Sequence, residues 1–346
     1  MRRGWMDWVP QEVPEAFLKE RVGRVAAACA QQDVQALVLF SSFTRPAQVS
    51  ALTHFVPFWS QALLVVTRDA RTLLTMATTG RTVQWMRSSS CVDEVLVGPD
   101  IGRTAGTWLA QRGQAARVGV ANLDDVPRPA LDSLCAALPQ AQVLDATGWY
   151  APLEAGFGPA PAVARRCREI ARGALDHVTA QAHRSPHDIV AAVEGHARSE
   201  GAEEAMVWLA PDLATGAEPY RLEGPAQLGD SFAVQLTLAY KGCWVRVAGS
   251  FARGGDRIQE LPASARARQA LRQAAAGTSA VDLLRAVSQA AQAEVVSWSA
   301  EAPRGGLPLA CVAASDLPGL LPARATFSAR LASAGFRILV AEPTSP

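Results

Sequence analysis

The distribution of apolar positions divides the chain into alternating helical and extended segments. From Glu20 to Gln32 the apolar residues Val22, Val25, Ala26 and Cys29 recur at helical spacing, and the continuous apolar run Ala36 to Phe40 follows. That order predicts a helix feeding a buried strand. Two more extended runs, Ala62 to Thr67 and Thr72 to Met76, flank the turn Arg68 to Arg71 and predict a hairpin. Strands are expected again at Glu94 to Val97 and Arg117 to Val120, with helices at Gly102 to Gln111 and Pro129 to Leu138. Helix and strand alternate throughout this region, as in an α/β sheet covered by helices.

Residues Pro152 to Pro161 concentrate proline and glycine and read as a linker, which sets expected domains at residues 1–155 and 156–346. Beyond it the pattern predicts helices over Ala162 to Ala182 and His187 to Ser199, then a strand at Ala205 to Leu209. A long hairpin over Ser231 to Phe251 is expected to turn at Tyr240 to Gly242. Further helices are expected at Pro262 to Ala276 and Ala280 to Ala293, with Ser279 as N-cap, and final strands at Ala325 to Leu331 and Arg337 to Val340.

Composition narrows the functional classes. At 346 residues, with 49% hydrophobic and 19% charged residues, the chain has material for two cores. Its 33 basic residues balance 32 acidic ones, which argues against nucleic acid or an anionic membrane as partner and for a small molecule. No stretch approaches a membrane span, the start lacks an apolar signal region, and six scattered cysteines contain no C-x-x-C pair. A cytoplasmic protein with reduced thiols is the expectation.

Taken as a series, these segments resemble the creatinase, prolidase and methionine aminopeptidase family. Ala51 to Phe55 (ALTHF) resembles the family's YLTGF-type segment, and Ser185 to Glu204 resembles its paired helices. The Gly229-Asp230 pair, the hairpin with Tyr240 and Gly242, and the helix start at Gly277 to Leu284 continue the order. The resemblance implies a creatinase-like N-terminal α/β domain followed by a pita-bread α+β domain. In active members it also implies two metals held by two hairpin aspartates, a histidine and two late glutamates.

Transferred onto this chain, that pattern loses its ligands. The first aspartate position, five residues beyond Asp230, is Gln235, and the second, eleven further, is Arg246. The late glutamate positions fall on Arg330 and Gly335, and no histidine lies between Glu294 and Leu320. A neutral amide and guanidinium groups cannot cage divalent ions, so no metal and no cofactor are expected. If Arg246 and Arg330 both face the cleft, they form a pocket for a small anionic ligand; the alternative is that each pairs with a neighbouring acid.

Creatinase within the same family works without metal, using a histidine ahead of the Gly-Asp pair. The matching position here is Glu218, with Tyr220 close behind, so these two are the candidate acid or base and proton donor; the alternative is a solvated loop. His54 and Trp59, with Phe58, are candidates for lining a pocket, or else a core-edge aromatic cluster. His183 and His187, four apart, are separated by Pro186; with His177 and His196 they read as solvated. Cys243 reads as a buried thiol. Two functions follow from the resemblance: a metal-independent hydrolase or lyase acting at a C–N bond of a small amino-acid-like or carboxylate substrate, or an inactive pseudo-peptidase. The second would bind a ligand or peptide. Either would work as a homodimer or as a heterodimer with an active homologue.

Overall fold

The computed structural model describes residues 7–113, 115–180, 185–216, 218–254, 257–274, 278–304, 307–312, 326–333 and 335–343. The chain divides into two compact units, with the boundary between Val163 and Ala164. His183 and Gly277, singled out in the sequence, lie outside the described residues.

The N-terminal unit is built on strands β1 (Ala36–Ser42), β2 (Gln61–Thr67), β3 (Thr72–Ala77), β4 (Glu94–Gly98), β5 (Arg117–Val120) and β6 (Gln142–Asp145). They hydrogen-bond in the order β4-β3-β2-β1-β5-β6, with β1-β2 and β2-β3 antiparallel and the other pairs parallel. The apolar runs of β1 and β2 are buried on both faces, as expected of strands covered on each side by helices. Leu37, Leu39, Leu64 and Val66 pack with Val22, Val25 and Cys29 of helix α1 (Glu15–Gln31) and with Val49 and Leu52 of α2 (Ala47–Thr53). Val38, Val65 and Leu73 pack on the other side with Ile101, Trp108 and Leu109 of a later helix. Helices α3 (Val83–Ser88), α4 (Ile101–Gln111), α5 (Arg128–Ala137) and α6 (Thr147–Ala155) complete the unit. Asp100 caps α4 by accepting the Arg103 N–H at 2.9 Å. The stretch read as a linker is partly helical: Pro152 lies inside α6, and Pro161 opens the next helix.

The second unit opens on α7 (Pro161–Asp176), which begins within the first, and α8 (Pro186–Ser199). Pro186 is the first helical residue of α8, and Ser185 with Asp188 forms a capping box, so His187 sits in the first turn. Strands β7 (Glu204–Ala210), β8 (Ser231–Tyr240), β9 (Cys243–Gly254) and β10 (Arg257–Glu260) follow. Then come α9 (Pro262–Gln273), α10 (Ala280–Ala291), β11 (Glu294–Arg304), β12 (Leu307–Val312), β13 (Thr326–Ser333) and β14 (Phe336–Pro343). The main path is β12-β11-β13-β14-β9-β8-β7, and β10 pairs with β9. The β8-β9 hairpin turns through Lys241 and Gly242, both with positive φ, as a two-residue turn matched to strand twist requires. Ser279 caps α10 by accepting the Asp282 N–H at 3.0 Å.

One face of this sheet is apolar and covered. Phe327, Ala329 and Leu331 of β13 and Ile338 and Val340 of β14 pack with Leu271 of α9 and Leu283 and Val287 of α10. Because side chains alternate along a strand, Ser328, Arg330, Leu339 and Ala341 stand on the opposite face. The region from Glu294 in which the family's histidine would fall begins with the eleven-residue strand β11, which pairs with both β12 and β13.

Candidate functional site

The face opposite the helices carries a cavity of about 320 Å³, lined by Gln235, Arg246, Ser297, Trp298, Ser299, Ser328, Ala329, Arg330 and Leu339. Register explains the grouping. Gln235 faces Ala248 and Arg246 faces Thr237 across β8-β9; Ala248 is joined to Ala341; Ser328 and Arg330 stand opposite Ser299 and Ser297. Residues directly opposite in an antiparallel pair share a face, so five strands contribute to one surface.

Both arginines of the cavity have carboxylate partners. Arg246 Nη1 donates to Glu301 Oε1, and its Nε donates to Thr237 Oγ1 at 2.9 Å. The guanidinium also lies 5.7 Å from the Trp208 ring centroid. With side chains 17% and 7% exposed, the Arg246–Glu301 pair is largely shielded from water. Arg330 forms an ion pair with Glu218, whose side chain is 66% exposed. The sequence left open whether these arginines face a cleft or pair with acids; they do both.

The donor set does not suit a pair of divalent cations. Gln235 is neutral, Arg246 and Arg330 are positive and donate only, and Leu339 has no donor or acceptor atom in its side chain. The carboxylates of Glu301 and Glu218 are engaged by these same arginines. Among the described residues, no three of His, Cys, Asp or Glu are grouped so as to hold a metal ion.

Several expectations need correction or placement. Gly335 lies in the turn between β13 and β14, and the β14 residue that lines the cavity is Leu339, directly across from Arg330. Tyr220 is 42% exposed, bridges Leu209 through backbone hydrogen bonds and does not line the cavity. His54 and Trp59 belong to the N-terminal unit. His54 is the buried C-cap of α2, with φ of 64°, and Trp59 stacks on Trp85 at 5.6 Å with Phe58 edge-on at 5.4 Å. His177 and His196 are not solvated singly: both are half-buried, with rings stacked 4.9 Å apart. Cys243 is buried, and the Cys167 thiol donates to its carbonyl oxygen at 3.1 Å.

Ser297, Ser299, Ser328, Glu301 and Leu339 went unrecognised in the sequence. The signal for three of them was the strict alternation Val296, Ser297, Trp298, Ser299, Ala300, Glu301, which places every second side chain on the cavity face.

No family model and no curated protein sequence matches the chain. Solved structures do. An X-Pro aminopeptidase from Thermotoga maritima superposes with a TM-score of 0.62 at 12% identity, over 94% of this chain and 95% of that one. An Xaa-Pro dipeptidase from Bacillus anthracis gives 0.64 at 13%, over 94% of each chain. A variant of Escherichia coli aminopeptidase P gives 0.63 at 15%, over 96% and 92%. Among the described residues no helix is long and apolar enough to cross a membrane. A mixed α/β unit followed by a sheet with helices on one face and a polar cavity on the other, matched over nearly the whole chain by these structures, identifies the fold as the pita-bread fold of prolidases and X-Pro aminopeptidases.

Proposed function

We propose that the C-terminal unit is a metal-independent cleft that binds a small anionic molecule, and that the chain acts as a ligand-binding relative of the pita-bread peptidases. The observation that carries this reading is the joint placement of Gln235, Arg246 and Arg330 around one cavity, where an amide and two guanidinium groups stand in for a carboxylate cage. A cavity of about 320 Å³ suits a metabolite-sized ligand. The test is elemental analysis of the purified protein combined with calorimetric titration of small anions. Binding without bound metal is the expected result, and stoichiometric manganese, cobalt, iron or zinc would overturn the reading.

A second reading, hydrolysis or elimination at a C–N bond of an amino-acid-like substrate, is favoured by one contact: the Glu218 carboxylate reaches Arg330 at the cavity. As general acid or base it would have to leave that guanidinium first. Loss of turnover in Glu218→Gln with ligand binding retained would select this reading. In either case the chain is proposed to work in the cytoplasm as a homodimer or beside an active homologue, which light scattering and co-purification would test.

A further inference from the structure

Building on the metal-free cleft, we infer that its ligand is a small monocarboxylate with a short apolar substituent, and that Glu218 is an internal carboxylate that this ligand displaces from Arg330. The charge inventory limits the ligand to one negative charge. Arg246 is already neutralised by Glu301 in a shielded pair, and removing either partner would strand a buried charge. Arg330 differs, because its side chain is 36% exposed and its partner Glu218 is 66% exposed, so water competes with the pair and exchange costs little. Once Glu218 swings away, one guanidinium is left for one carboxylate, and a dianion would also meet the Glu301 charge behind Arg246.

The second observation is independent of charge. Ser328 is 9% exposed, lines the same cavity, and its Oγ is buried without a hydrogen-bond partner. It lies two residues from Arg330 on β13 and on the same face, a separation of about 7 Å along the strand. A carboxylate held by Arg330 is therefore within a small molecule's length of this hydroxyl. Ser299 stands opposite Ser328, and Ser297 opposite Arg330, adding hydroxyls to the same strip. On the side of β14 the lining is apolar: Leu339 clusters with Ala248 and Ala341. One guanidinium, a strip of hydroxyls and an aliphatic wall match a monocarboxylate with a small side chain, and match inorganic phosphate poorly.

The full chain is titrated calorimetrically with acetate, isobutyrate and N-acetylalanine, and in parallel with N-acetylalanine amide and inorganic phosphate. A monocarboxylate should bind at least about ten-fold more tightly than the uncharged amide, the margin of one charge-assisted hydrogen bond. Glu218→Gln, an exposed change that leaves the core intact, should tighten carboxylate binding roughly two- to five-fold by removing the competitor. Ser328→Ala should weaken it by about three-fold or more, and Arg330→Gln by about ten-fold or more. Phosphate binding as tightly as the carboxylates, or unchanged or weakened carboxylate binding in Glu218→Gln, overturns the monocarboxylate inference while leaving the metal-free cleft standing. Binding of no probe, or binding that requires added metal, overturns both.

Discussion

Among single residues, Glu342 carries the heaviest electrostatic demand. Its side chain is fully buried in β14, and its carboxylate accepts from Arg172 Nε at 3.1 Å, Arg268 Nε at 2.9 Å and Arg272 Nε at 2.8 Å. Arg268, itself buried, also donates to Glu260 at 3.0 Å, so two carboxylates serve three guanidinium groups. Replacing Glu342 by glutamine keeps the shape but leaves three cations around one remaining acid. Glu342→Gln should destabilise the protein by about 3–5 kcal/mol, read from the midpoint of urea unfolding. None of this was legible in sequence, because Arg172, Arg268 and Glu342 are far apart along the chain and nothing local marks their convergence. The place of Arg246 on the hairpin was legible, since it depends only on counting residues from Asp230 along β8 and β9, whereas that of Arg330 follows only from the resemblance of the run Thr326 to Arg330 to a family motif. The neutralising partners Glu301 and Glu218 were not, because each comes from a segment remote in sequence.

The elements follow from local physics where the pattern was long. Helix α4 meets α5 so closely that a Cβ on Gly102 would lie 1.9 Å from the Ala130 carbonyl oxygen, and one on Gly106 would lie 2.6 Å from Ala137 Cβ. Backbone cannot yield as a flexible side chain would. Gly102→Ala should therefore lower stability by at least about 1–3 kcal/mol, seen as a drop in melting temperature. The β8-β9 turn gives a pH prediction. Glu203 accepts the N–H groups of Lys241 and Gly242, each at 2.6 Å, yet burial pushes its carboxyl above the ordinary value of 4.5 despite those bonds. An acid held above its unfolded value binds its proton more tightly in the native state. Its contribution is present in full below about pH 4.5 and is lost as pH rises through the raised value. Glu203→Gln, which cannot titrate, should flatten that part of the stability profile when unfolding is followed from acid to neutral pH. β11 shows the converse limit of local reading: its alternation was present in the sequence, but the family resemblance set a histidine-bearing loop in this region, where the structure has a strand.

For the whole molecule, the proposed metal-free cleft has a thermodynamic consequence. A cation bound only to the native state would add stability by mass action, so exhaustive dialysis against a chelator should leave the melting temperature unchanged here. A clear fall would mean that carboxylates from elsewhere complete a cage. Similarity at 12–15% identity to peptidases of known structure reflects how strongly alternation, turns and helix caps specify an architecture while leaving its site open. The sequence by itself determined the order of helices and strands and the mixed α/β character, because each of these depends on neighbours within one element. Only the tertiary structure decided which face each strand presents to the cavity, that Leu339 rather than Gly335 stands opposite Arg330, and which acid answers each arginine. Those outcomes depend on register between strands distant in the chain, and charge pairing across such distances is settled only when folding brings the groups together.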